Sequence, residues 1–127
     1  MIKPSKLQKG DTIAIVAPSS GLGGLFGHRI DNGIKALKEL GFEVKEYPTA
    51  RKYYKGDAGT PEERSQDIIA AFEDKAVKAI MCNIGGLSSN STLNLLDYGS
   101  IKKNPKIFIG YSDITLLHYA IFKKTGL

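Results

Sequence analysis

A chain of 127 residues, 42% hydrophobic and 24% charged, is long enough to bury one core and too short for two. It contains no apolar run near the roughly 20 residues a membrane-spanning helix needs. Its start, Met1-Ile2-Lys3-Pro4-Ser5-Lys6, lacks the apolar stretch and cleavage site of a signal peptide, so the cytoplasm is the expected compartment. The net charge of +5 comes from eighteen Lys and Arg spread along the chain, with small clusters such as Lys102, Lys103 and Lys106, which predicts a solvated face and no nucleic-acid partner.

The first apolar run, Thr12-Ile13-Ala14-Ile15-Val16-Ala17, is continuous and rich in β-branched side chains, follows the turn Lys9-Gly10-Asp11 and stops at Pro18. That is the pattern of a strand buried on both faces. Ile30, Ile34 and Leu37 then recur at helical spacing, and Gly41 ends the helix before a strand over 42–46. Residues 50–59 are polar, with two glycines and the pair Tyr53-Tyr54, and are expected to form an exposed loop. Thr60-Pro61-Glu62-Glu63 predicts a helix start, with Thr60 at the N-cap, Pro61 at N1 and Glu63 closing a capping box. Ile68, Ile69 and Phe72 supply its inward stripe.

A strand over 77–81, a Gly-Gly turn, a helix over 89–96 and a fourth strand over 106–109 follow. The closing helix carries Leu116, Leu117, Ala120 and Ile121 at helical spacing and stops at Gly126. Four β-α pairs in alternation imply right-handed crossovers with helices on both faces of a parallel sheet. The prediction is a single-domain α/β fold, a flavodoxin-like doubly wound sheet of four strands in the order 2-1-3-4.

Ligands of such sheets bind beyond the carboxyl ends of the strands, which directs attention to the loops after strands one, three and four. The last of these, Gly110-Tyr111-Ser112-Asp113-Ile114-Thr115, has the outline of a nucleophile elbow: a sharp strand-to-helix turn exposing a serine Oγ and aiming the next N–H at an oxyanion. Ile114 stands where the usual pattern has a second glycine. On spacing alone the ordinary alternative, Ser112 as an N-cap with Asp113 in the first helical turn, is the stronger reading.

In the loop after strand three, Gly85 and Gly86 allow backbone amides to approach a ligand, although a tight turn capped by Ser88 or Ser89 fits the pattern as well. The loop after strand one, starting Pro18-Ser19-Ser20-Gly21, fails as a dinucleotide fingerprint because Phe26 occupies the third glycine position.

A serine nucleophile needs a base, and the chain has two histidines, His28 and His118. His118 follows Ser112 by six residues, roughly 9 Å along a helix axis, and is expected to pack or cap within that helix. His28 is expected at the surface. Cys82, the one cysteine, reads as a small buried hydrophobe, and no group of residues has metal-ligand spacing.

Several blocks together resemble the N-terminal domain of the S66 serine peptidases, the L,D-carboxypeptidases and microcin C immunity proteins. They are Ile13-Ala14-Ile15-Val16-Ala17-Pro18-Ser19-Ser20, Gly59-Thr60-Pro61-Glu62-Glu63-Arg64, Ile84-Gly85-Gly86, Leu96-Asp97-Tyr98, and residues 104–115 ending in Gly110-Tyr111-Ser112-Asp113-Ile114-Thr115. The resemblance implies that Ser112 is the nucleophile and that the N–H groups of Asp113 and Gly86 form the oxyanion hole. Gly85, Ser19 and Ser20 would contact substrate.

It further implies that residues 1–127 are a nucleophile-bearing domain, and that a C-terminal domain, absent from this chain, supplies the Glu and His of the triad. No cofactor is implied. The implied substrate is a murein peptide or a peptidyl- or aminoacyl-nucleotide, and the implied full-length protein is a homodimer. Asn83-Ile84 before the glycine pair resembles the immunity branch more than the murein branch, whose Arg-Gly-Gly-Tyr is absent. Two competing expectations are a non-catalytic module binding a small anion at its glycine-rich loops, and a partner-binding domain.

Overall fold

The computed structural model describes residues 1–127 throughout. Its sheet is built from β1 (Thr12–Val16), β2 (Glu43–Glu46), β3 (Val77–Cys82) and β4 (Ile107–Ile109), all parallel and ordered β2-β1-β3-β4. The central position of β1 accounts for its unbroken apolar run: from Ile13 to Ala17 every residue is buried, because alternate side chains enter cores on opposite faces. Ile15 stands opposite Met81, and Ile80 opposite Phe108.

Five helices connect and flank the strands: α1 (Leu22–Leu25), α2 (Gly27–Glu39), α3 (Pro61–Glu73), α4 (Tyr98–Lys103) and α5 (Thr115–Thr125). They are not shared evenly between the faces. Side chains of α3, α4 and α5 build the main core, in which Phe72, Ile101, Leu117 and Ile121 close over Ala14, Val16 and Ile80. On the other face α2 lies over β1 and β2. Beside it an apolar groove of about 600 Å³ stays open toward β3, with Phe26, Ile30, Met81 and Ile84 among its lining residues.

Local chemistry sets the helix ends. Thr60 accepts from Glu63 N–H at 3.2 Å while the Glu63 carboxylate accepts from Thr60 N–H at 2.9 Å, so the capping box is complete and Pro61 occupies the first turn. Gly126 closes α5 in the left-handed conformation.

Two expectations are corrected. In place of one helix over 89–96 there is a 3-10 turn, Ser89–Thr92, and then α4, whose N-cap Asp97 accepts from Ser100 N–H at 2.9 Å. The loop over 50–59 exposes Tyr53 and Tyr54 but is not an excursion. Ala50, Ala58 and Gly59 are buried, and its main chain is tied to the loop after β1 by Gly21 N–H to Gly56 O at 2.9 Å and Ala58 N–H to Ser19 O at 2.9 Å.

Lys106, at the entry to β4, is buried and donates to the carbonyls of Ala71 and Asp74 at the end of α3. Burial lowers its pKa from 10.5 to about 8, with Asp74 opposing the shift. The unfolded chain therefore binds more protons between those values, and stability should rise as pH increases from about 8 toward 10. Urea midpoints measured across that window should climb in the native chain and flatten in Lys106→Met.

Candidate active site

The loops after β1, β3 and β4 meet at the carboxyl edge of the sheet, as the parallel order requires. β4 ends at Ile109, and a Cβ at Gly110 would lie 2.5 Å from Ile114 Cγ2, so the chain can turn there only with glycine. Two residues on, Ser112 has φ +60°, the left-handed region, and its side chain is exposed. A non-glycine residue held in this conformation is strained.

A 3-10 turn, Ser112–Ile114, then leads into α5, and neither element has a side-chain cap. Ser112 is thus not an N-cap: its hydroxyl makes no intramolecular hydrogen bond and projects from a tight corner. The buried Ile114 packs against Gly110 and takes the place of the second elbow glycine.

The glycine loop lies directly against this corner. A Cβ at Gly85 would sit 3.2 Å from Ser112 Cβ and 3.4 Å from its Oγ. Gly86 has φ +156°, and a side chain there would overlap Ser19 Oγ and come within 2.8 Å of Ser20 N. The backbone N–H groups of Gly86 and Asp113 donate to no acceptor in the fold.

Asp113 is tied into both neighbouring loops. Its Oδ2 accepts from Ser19 Oγ at 2.6 Å and from Ser89 N–H at 2.9 Å, and its carbonyl accepts from Ser89 Oγ at 2.8 Å. Burial alone would raise its pKa; the hydrogen bonds from Ser19 and Ser89 outweigh that and hold the carboxyl below its ordinary value.

Ser19 has no exposed surface, and its hydroxyl lies under Gly86. Ser20 is half-buried; its N–H donates to Gly85 O at 3.2 Å and its Oγ accepts from Leu22 N–H at 3.2 Å. Ser88 and Ser89 cap nothing and link loops instead, Ser88 Oγ donating to Asp57 Oδ1 at 2.7 Å.

Beneath the loops lies Arg64, 1% exposed, which the inward stripe read from the sequence did not include. It donates to Pro18 O at 2.6 Å, Ser88 O at 3.2 Å, Ser91 Oγ at 3.1 Å and Gly59 O at 3.1 Å, and its guanidinium lies 3.7 Å from Asp57. The available signal was its phase: 64, 68 and 72 fall on one helical stripe.

Neither histidine serves the corner. His28 is exposed at the start of α2, whereas His118 packs edge-on against Phe108 at 5.4 Å with Nε2 unpartnered, and burial lowers its pKa. Burial likewise pushes the Cys82 thiol up, away from thiolate chemistry. No helix is long and apolar enough to cross a membrane.

An exposed serine on a strained strand-to-helix turn, set against a glycine pair, has the outline of a nucleophile elbow, and comparison with known proteins gives the family to which the domain belongs. Residues 13–127 match Peptidase_S66, the LD-carboxypeptidase N-terminal domain, and the chain belongs to this family. It is 45% identical over 123 residues to YocD of Bacillus subtilis, covering 97% of this chain and 38% of that protein.

The microcin C7 self-immunity protein MccF of Escherichia coli is 38% identical over 121 residues, covering 95% of this chain and 35% of MccF. A solved structure of MccF in complex with aspartyl sulfamoyl adenosine superposes with a TM-score of 0.96 at 36% identity, over 100% of this chain and 38% of that one. The chain therefore spans little more than a third of the relatives it matches.

Proposed function

We propose that this domain carries the nucleophile and oxyanion hole of a serine carboxypeptidase that hydrolyses an amide next to a free carboxylate or, in the immunity branch, the amide of a peptidyl- or aminoacyl-nucleotide conjugate. Ser112 Oγ attacks the carbonyl carbon, its proton passing to a base. The N–H groups of Asp113 and Gly86 receive the charge that develops on the carbonyl oxygen. Collapse of the tetrahedral intermediate expels the amine, protonated by the same base, and leaves an acyl-Ser112 that water hydrolyses. The observation carrying this reading is the left-handed, exposed Ser112 packed against Gly85.

The base is assigned to a Glu and a His of a C-terminal domain outside these 127 residues, because His28 and His118 are both placed elsewhere. Within the family the substrate is assigned to the immunity branch, a peptidyl- or aminoacyl-nucleotide. Asn83-Ile84-Gly85-Gly86 in place of the murein branch's motif supports this, as does the likeness to MccF, whose structure holds an aminoacyl sulfamoyl nucleoside.

Fluorophosphonate labelling of the full-length protein tests the nucleophile. Labelling should be complete in the native protein and absent in Ser112→Ala, while the isolated 127-residue chain should turn over no substrate. Equal labelling of Ser112→Ala would remove Ser112 from the reaction.

A further inference from the structure

We propose that the Asp113 carboxylate and the Ser19 hydroxyl form a clasp that sets the two oxyanion amides, making both side chains positioning residues for the chemistry of Ser112. The inference rests on Ser112 being the nucleophile, and it assigns these side chains roles distinct from substrate contact and proton transfer.

The direction of the hydrogen bonds carries the argument. A serine hydroxyl has one proton to donate. Ser88 Oγ gives its proton to Asp57, and the carboxylate of Asp113, 2.6 Å from Ser19 Oγ, outcompetes the Ser88 hydroxyl at 3.4 Å for the proton of Ser19. Ser19 donates instead to Asp113 Oδ2 at 2.6 Å and accepts from Ser88 N–H at 3.1 Å.

Each loop is thereby held by the other two. Ser19, from the loop after β1, lies directly under Gly86, where a Cβ would overlap its Oγ. The carboxylate that binds Ser19 also binds Ser89 N–H, three residues past Gly86, and belongs to the residue whose own N–H is the other donor. Ser112 is strained at φ +60°, and a strained residue persists only where its surroundings over-determine it. The clasp supplies that constraint and couples the direction of the Asp113 N–H to the seat of Gly86.

The clasp has a specific signature. Both donors from neighbouring loops land on one oxygen, Oδ2, so an asparagine that places its carbonyl oxygen there keeps both bonds without the charge. Asp113→Ala should lower kcat about 100-fold, the effect of losing an oxyanion donor, with KM nearly unchanged. Asp113→Asn should recover at least tenfold of that loss, and Ser19→Ala should lower kcat about tenfold. The double variant S19A/D113A should be no worse than D113A, because the two groups act as a unit.

These assays use the full-length protein and an aminoacyl sulfamoyl nucleoside, with amide NMR of Gly86 and Asp113 as a second readout. Both resonances should move in S19A and D113A and return toward native positions in D113N. Asparagine as damaging as alanine would overturn the proposal in favour of a charge role, as would unchanged kcat in S19A and D113A when S112A is dead. If S112A retains activity, the nucleophile assignment has failed separately, and a Gly86 resonance unmoved by S19A would end the clasp on its own account.

Discussion

Ser112→Gly is expected to stabilise the fold by about 0.5–1 kcal/mol while abolishing covalent labelling. The left-handed conformation costs a non-glycine residue roughly 1–2 kcal/mol, and glycine occupies it freely. Part of that gain is offset by the larger conformational freedom of glycine in the unfolded chain, about 0.4–1 kcal/mol. Ser112 makes no hydrogen bond whose loss would cancel the remainder, and its side chain is exposed. Ser112→Ala keeps the strain, so its stability should stay within about 0.5 kcal/mol of native while its labelling is equally absent.

An N-cap serine gives a different pattern, in which alanine costs about 1 kcal/mol and glycine a few tenths. Urea denaturation with unchanged slope decides between them. A glycine variant less stable than native would contradict a strained corner.

The fold was legible wherever burial dictated composition. β1 announces itself because a central parallel strand has no solvent face, and α3 because Thr60, Pro61 and Glu63 leave its first turn no other structure. The segment over 89–96 misled because Leu93, Leu95 and Leu96 imitate an inward stripe, whereas the helix that forms, α4, has six residues and cannot display a period. The loop over 50–59 misled for the opposite reason. It is fixed by main-chain bonds from Ala58 and Gly21, and backbone hydrogen bonding leaves little trace in residue type.

The site divides in the same way. Gly85, Gly86, Gly110 and Ser112 stood out because close backbone approach restricts residue choice. What spacing could not decide was whether Ser112 caps a helix or leaves one, since that depends on the sign of one dihedral angle. The roles of Ser19, Ser88 and Arg64 depend on three loops meeting. No local pattern records such a meeting, and a buried arginine is read as an ordinary surface charge unless its helical phase is followed.

Arg64→Met is expected to cost about 3–5 kcal/mol, the range for breaking a buried charged network by removing one partner. Against a total stability of about 5–15 kcal/mol this approaches unfolding. The guanidinium gathers carbonyls from Pro18, Gly59 and Ser88, groups from three loops, of which Pro18 and Gly59 are buried. Methionine fills the volume but donates nothing, leaving the carbonyls of Pro18 and Gly59 without a partner and Asp57 without its facing cation, whereas Ser88 O keeps its bonds from Ser91.

Burial presses the arginine's pKa down while Asp57 pushes it back up, so the charge is retained at the cost of desolvation. Lysine should not rescue, because a single ammonium on a flexible stem cannot span acceptors served here by Nε and both terminal nitrogens. Ser88→Ala, which removes one arm of the same network, should cost only about 1 kcal/mol. Comparing urea midpoints of the three variants tests the assignment: a loss below about 1 kcal/mol in Arg64→Met would mean that the loops hold each other without the cation beneath them. The measured order Met, Lys, then Ala at 88 would instead establish that a buried charge on α3, distant in sequence from Ser112, ties together the loops around the strained corner.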